Sequence, residues 1–227
     1  MKTFVISLGG SLIVPDDIDF KFINKFKESI IKQSKKNKFV IVCGGGSIAR
    51  KYIDALRHES LSPKELAMAG IRTTRINALF LMQIFGNKAN STLPMDIKAV
   101  ESHLNKRNIV ICGALRFRPD STSDGTAARI AMHLGSSFIN MTNVKGLFTS
   151  NPSTNKDAKF IPKISWAEFE KMALALKFKA GQHFVLDQEA AVIIRKQKIR
   201  TYIIGKDTKA LQNIISEKEF VGTDIYG

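Results

Sequence analysis

The stretch Phe39-Val40-Ile41-Val42-Cys43-Gly44-Gly45-Gly46-Ser47 passes without a break from apolar residues to glycines. Phe39 to Cys43 shows no polar alternation, the pattern of a strand buried on both faces, as in a parallel sheet. The glycines that follow give a turn and open a helix through Ala49, Arg50 and Tyr52. Similar apolar runs lie on either side of this stretch, at Thr3 to Leu8, Asn108 to Cys112, Phe138 to Thr142 and Thr201 to Ile204. Amphipathic segments separate them. Phe22, Ile23, Phe26, Ile30 and Ile31 repeat at helical spacing. Ser62-Pro63-Lys64-Glu65 is a helix start, with a Ser cap, Pro at the first position and Glu three residues after the cap. Ser165-Trp166-Ala167-Glu168 repeats the Ser and Glu of that box before Phe169, Met172 and Ala173. The alternation predicts an α/β fold, a three-layer α/β/α sandwich with a mainly parallel central sheet.

With 227 residues the chain can bury a full core without a disulfide or metal staple. Polar turn segments lie at Ser91 to Asp96, Arg116 to Ser123 and Ser150 to Asp157, none long enough to separate independent domains. A single domain over residues 1–227 is expected, with an N-terminal lobe of about 1–135 and a C-terminal lobe of about 136–227. Hydrophobic residues are 44% and charged residues 24%, which excludes wholesale disorder. Cys43 and Cys112, each inside an apolar run, are neither a disulfide framework nor a zinc cluster, and they suggest a reducing compartment. No stretch has the length and apolarity of a membrane span, and the first residues lack the pattern of a signal peptide. A cytoplasmic protein with no membrane partner is expected. Lys plus Arg is 35 against 20 acidic residues, a net charge of +15. The basic residues are dispersed, without long like-charge blocks or interleaved aromatics, so no nucleic-acid partner is expected. The excess would instead attract anionic small molecules.

Gly9-Gly10-Ser11 follows the first run, Gly44-Gly45-Gly46-Ser47 the second and Gly113 the third. In a parallel sheet these strand ends share one edge, where ligands bind. Glycine lets backbone approach a ligand closely, and free N–H groups and a helix N-terminus can cradle phosphate oxygens. A side chain at Gly45 would then occupy space a phosphate needs. Arg50, one turn into the helix, could reach such a phosphate. Neither loop has the spacing of a P-loop or of a dinucleotide fingerprint, so the pattern specifies phosphate without its class. Thr122-Ser123-Asp124-Gly125-Thr126 opens another helix, with hydroxyls and a carboxylate that could serve as a cap or sit beside the glycine edge. Asp187 is a second carboxylate open to both readings. His58, His103, His133 and His183 have no metal spacing, and no resident metal site is expected.

The chain resembles the amino-acid kinase family, and within it the archaeal type of uridylate (UMP) kinase. The resemblance rests on Leu8 to Pro15, Gly44 to Tyr52, Gly70 to Ala78, Thr142 to Thr149 with Asn151-Pro152, and Gly222 to Ile225, in that order. It implies phosphoryl transfer from MgATP to UMP, making UDP for pyrimidine biosynthesis, in a homo-oligomer for which a hexamer is one possibility. It places the acceptor in the N-terminal lobe and ATP in the C-terminal lobe. Gly9, Gly10 and Ser11 would line the phosphates, and Gly45, Gly46 and Arg50 would contact ATP or the transferring group. Thr142, Asn143, Phe148 and Asn151 would hold adenine and ribose. Gly44, Gly113, Pro119, Asp120, Ser121, Thr122 and Ser123 would face the acceptor, and Asp124 would organise the centre. Asp124, Arg50 and Ser11 are thus its catalytic candidates.

Three departures stand out. Ser7 occupies the position where many members carry a first-strand lysine, and Ala67 that of an acidic residue that grips the acceptor ribose. The loop Gly113-Ala114-Leu115-Arg116-Phe117-Arg118-Pro119-Asp120-Ser121 is longer and more basic than the usual acceptor loop. Arg116 and Arg118 could bind the acceptor phosphate by bidentate contacts. A kinase of the same fold acting on another small phosphate or carboxylate, or a non-catalytic nucleotide- or anion-binding protein, are the alternatives.

Overall fold

The computed structural model describes residues 1–118, 121–175 and 185–227. Its strands are β1 (Lys2–Leu8), β2 (Asn37–Cys43), β3 (Ile109–Cys112), β4 (Ser137–Met141), β5 (Leu147–Phe148), β6 (Phe160–Ile161), β7 (Lys163–Ile164), β8 (Thr201–Ile204) and β9 (Thr223–Ile225). Its helices are α1 (Gly10–Ile13), α2 (Phe20–Gln33), α3 (Gly46–Leu56), α4 (Pro63–Phe85), α5 (Ile97–Lys106), α6 (Ser123–Leu134), α7 (Trp166–Leu174), α8 (Gln188–Lys196) and α9 (Thr208–Ile215). Seven strands form one sheet in the order β3-β2-β1-β4-β8-β9-β7. Every neighbouring pair is parallel except β8 with β9. β5 and β6 form a separate antiparallel ribbon.

The apolar runs become central strands because both of their faces are covered. Alternate residues point to opposite sides. Phe4, Ile6, Leu8, Phe39, Ile41 and Cys43 face a core closed by Phe26 of α2, Leu81 of α4 and Leu211 of α9. Val5, Val40, Val42, Val110 and Cys112 face a second core closed by Val100 of α5, Ala127 of α6, Phe169 of α7 and Ala190 of α8. This is the three-layer sandwich. Phe26, Phe39, Phe138 and Phe169 are among its largest fully buried side chains. Each contributes about 1.5–3 kcal/mol of apolar burial. The two cysteines lie on opposite faces of the sheet, so they cannot meet. Burial pushes the Cys112 thiol up to about 12 and that of Cys43 well above its ordinary value.

Both capping boxes form. Ser62 accepts from the Glu65 N–H and Ser165 from the Glu168 N–H, with each Glu reaching back to the cap. Strand limits differ from the sequence reading by one or two residues. β2 starts at Asn37, ahead of the apolar run, and β4 ends at Met141 rather than Thr142. β1, β2, β3, β4 and β8 run the same way, so Gly9, Gly44, Gly113, Thr142 and Gly205 leave the sheet along one edge.

Candidate active site

A cavity of about 740 Å³ opens at that edge. Its floor is glycine. The Gly9 N–H donates to Met141 O at 2.9 Å and the Gly44 N–H to Leu8 O at 2.8 Å, carrying the ladder past the strand ends. The first two loops then press backbone against backbone. A Cβ on Gly10 would stand 2.1 Å from Gly46 N, and one on Gly44 would stand 2.6 Å from Gly10 N. Gly46 also has φ +64, which favours glycine. Asn77 of α4 fastens the second loop by donating to Gly44 O at 2.7 Å. Gly10, Gly44 and Gly46 are therefore demanded by loop-on-loop contact before any ligand arrives. Gly45 is constrained by its own helix as well. Its Cβ would first meet the Ala49 Cβ at 2.5 Å, so a side chain there strains the first turn of α3 as well as the phosphate space.

Side chains build the opposite wall. Ser7, buried in β1, donates to Asp124 Oδ1 at 2.6 Å. The position read as lacking a cation thus supplies a hydrogen-bond donor to the carboxylate. Asp187, also buried, caps α8 by accepting from the Ala190 N–H at 2.7 Å. Its Oδ2 accepts three more bonds, from the Thr122 N–H at 2.8 Å, the Thr122 hydroxyl at 2.6 Å and the Gly125 N–H at 2.9 Å. One carboxylate so ties the starts of two helices together. Burial, then the nearby Asp187 charge, pushes the Asp124 carboxyl up to about 7, with the Ser7 bond opposing the rise. Behind this wall Arg129 pairs with Glu189 at 2.5 Å.

The third side is α4 with the loop after β3. Thr74 Oγ1 accepts the Ala114 N–H at 2.8 Å. Arg75 Nε donates to Ala114 O at 3.2 Å, and its terminal nitrogen donates to Leu115 O. Gly113 has no room for a side chain, since a Cβ would lie 2.7 Å from Arg75 N. Beyond this root, Arg116, Phe117 and Arg118 reach the cavity. Arg116 also pairs with Asp96 at 3.4 Å and is mostly exposed.

Gly9, Gly10, Ser11, Gly44, Gly45, Gly46, Arg50, Arg116, Arg118, Ser121, Thr122, Ser123, Asp124 and Thr142 all line the cavity. Gly113 sits behind its wall, and Pro119 and Asp120 lie outside the described residues. Asn143, Phe148 and Asn151 are not part of the wall. Phe148 packs on Phe160 with ring centroids 5.5 Å apart, and Lys145 lies over both rings. Asn151 accepts from the Ser153 N–H and hydroxyl. Ser7, Asn77 and Arg75 were absent from the sequence-derived site. No local pattern marks them, because each acts on a residue at least 30 positions away. The cavity wall carries Arg50, Arg57, Lys64, Arg116 and Arg118 against Asp124 and Asp187. Cations outnumber carboxylates, and a polyanion is the ligand that charge balance favours. Among the described residues, no three His, Cys, Asp or Glu side chains group as a metal site, and no helix is long and apolar enough to cross a membrane.

The chain is similar in sequence and in fold to known proteins. The model of the amino acid kinase family matches residues 2–205. A uridylate kinase of Thermococcus kodakarensis is 34% identical over 216 residues, 94% of this chain and 95% of that protein. One from Thermococcus onnurineus is 36% identical over 218 residues, again 94% and 95%. The crystal structure of uridylate kinase from Archaeoglobus fulgidus superposes with a TM-score of 0.86 at 30% identity, covering 99% of this chain and 100% of that one.

Proposed function

The chain belongs to the amino acid kinase family, and from that premise we propose that it transfers the γ-phosphoryl group of ATP to the phosphate of UMP. A UMP phosphate oxygen attacks the γ-phosphorus, the bond to the bridging oxygen breaks, and UDP and ADP leave. The observation that carries the reading is one cavity with a glycine floor, a carboxylate wall and an arginine loop. Backbone groups of Gly9 to Ser11 and Gly44 to Gly46 approach the phosphates. Arg50 stabilises charge on the transferring group, which is what in-line transfer requires of a protein. Arg116 and Arg118 hold the acceptor phosphate. Asp124 orients the donors around the reacting centre.

Thr142 marks the start of the adenosine side, with Asn143, Phe148 and Asn151 engaged beyond the cavity as ATP binds. The C-terminal lobe so takes ATP and the N-terminal lobe the acceptor. The donor set fits a magnesium ion carried in on the nucleotide, since the Asp124 carboxylate and the Thr122 and Ser123 hydroxyls belong to residues that line the cavity. Such an ion would neutralise phosphate charge. The protein acts in pyrimidine biosynthesis in the cytoplasm as a homo-oligomer.

Steady-state turnover of MgATP against a panel of nucleoside monophosphates, with isopentenyl phosphate and small carboxylates as controls, tests the reading. UMP should give the highest kcat/KM. Arg116→Ala and Arg118→Ala should each lower kcat/KM for UMP by roughly 10- to 150-fold with little change in KM for ATP. Turnover of a control acceptor in preference to UMP would move the assignment to another acceptor, and no turnover at all would favour a binding protein.

A further inference from the structure

The loop carrying Arg116 and Arg118 leaves β3 at Gly113 and returns to the fold at Thr122. Its far end is fixed by Asp187, which takes the Thr122 N–H and hydroxyl. Its near end is fixed from α4. There Thr74 takes the Ala114 N–H, and the Arg75 guanidinium donates to the carbonyls of two consecutive residues, Ala114 and Leu115. Two carbonyls bound by one planar fork fix the direction in which the chain leaves the strand. Arg116 is the next residue.

The Arg75 guanidinium is half-buried, and burial and the Arg72 charge both weaken its hold on the proton. Among the described residues it makes no ion pair with a carboxylate, and its partners are the loop carbonyls. A cation placed in such surroundings is costly unless its bonds are made. It does not line the cavity.

We propose that Arg75 is a positioning residue for the acceptor: it aims the Arg116–Arg118 segment over the cavity by clamping the Ala114 and Leu115 carbonyls to α4. The inference rests on the reading of that segment as the acceptor-phosphate contact. Loss of the clamp leaves Gly9–Ser11, Gly44–Gly46 and Asp124 in place, because the Arg75 side chain bonds none of them. The acceptor then meets a misdirected loop while ATP binds as before.

Arg75→Met keeps the apolar stem and deletes the donors. We expect KM for UMP to rise about 10- to 100-fold, on the scale of one or two lost charged hydrogen bonds. KM for MgATP should change less than about twofold, a scale set by the absence of a lost contact. Arg75→Lys should restore part of the loss, and millimolar guanidinium added to Arg75→Ala should restore more than it does for Arg75→Met, where the stem fills the space. Hydrogen exchange is read on the same variants. Peptides covering 113–118 should exchange faster in Arg75→Met, with those covering α8 unchanged. Equal rises in both KM values, or unaltered exchange at 113–118, would overturn the proposal. If the wild type turns over no UMP, the functional reading fails on its own, and the exchange measurement still decides whether Arg75 clamps the loop.

Discussion

The glycine floor and the carboxylate wall face the same cavity but are made differently. The floor is backbone on backbone: Gly10, Gly44 and Gly46 approach so closely that any side chain collides with the main chain. The wall is side chain on side chain and side chain on helix start, with Ser7, Asp124, Asp187 and Thr122 joined by hydrogen bonds. In the floor, sequence and shape cannot be varied separately from the fold. In the wall, an isosteric change can alter charge while leaving shape in place. The same cavity therefore contains a part that sets geometry and a part that sets chemistry.

The largest test of this contrast is Gly10→Ala. With a Cβ 2.1 Å from Gly46 N, one loop must move off the other. A loss of about 3 kcal/mol in chemical denaturation is expected, as for forced overpacking, with nucleotide binding lost alongside. A variant of normal stability that still binds MgATP would show that the loops are not interlocked. Asp124→Asn comes next. It keeps the volume and an acceptor for the Ser7 hydroxyl, and turnover should fall about 10²- to 10³-fold, the usual scale for one group placed at developing charge.

Stability should move in the opposite direction. Because burial and the Asp187 charge push the folded carboxyl up to about 7 from an ordinary value of 3.8, the native state holds the proton more tightly than the unfolded chain. Stability contributed by this group is present at low pH and lost as pH rises toward the folded value. Asp124→Asn should therefore melt higher than wild type at pH 8 and nearly together with it at pH 4. Melting curves that differ equally at both pH values would remove the burial argument.

Asp187→Asn is a smaller change with a different signature. Replacing an oxygen that accepts three bonds should cost about 2 kcal/mol in stability. It also removes the like charge that helps raise Asp124, so the acidic limb of the kcat/KM profile should shift to lower pH. An unshifted limb would separate the two carboxylates. Asp96→Asn should do least. It frees the exposed Arg116 from a 3.4 Å pair, and exposed pairs contribute little, so KM for UMP should change by less than about threefold.

The floor was legible in the sequence because its signal is contiguous. Apolar runs ending in Gly9 and Gly44 place both floor loops at one sheet edge once the sheet is parallel, with the turn at Gly113 beside them. The helix starts at Ser62 and Ser165 were legible for the same reason, since a capping box lies within four residues. The wall was half legible. Asp124 and Asp187 stood out as carboxylates at helix starts, but whether they were caps or functional groups depended on what lay opposite. Asp187 proves to be a cap that also holds the neighbouring helix start. Ser7 was read through what it lacked, and its partner is 117 residues away. Arg75 sits on the half-buried side of a long helix whose periodicity reveals its packing but not its hold on a distant loop. Phe148 and Asn151 matched a motif, but here Phe148 packs on Phe160 and Asn151 bonds Ser153, and neither lines the cavity.

Cys43 and Cys112 occupy separate cores on the two faces of one sheet, each fully buried. They form a pair of built-in clocks. A thiol-alkylating reagent can reach either sulfur only when the core around it opens, so each labelling rate times the opening of one layer. Measured residue by residue under native conditions, equal rates mean that both layers of helices come away from the sheet in a single event. A faster Cys112 would mean that the layer formed by α5 to α8, the one carrying Asp124 and Asp187, lifts while the glycine floor is still standing.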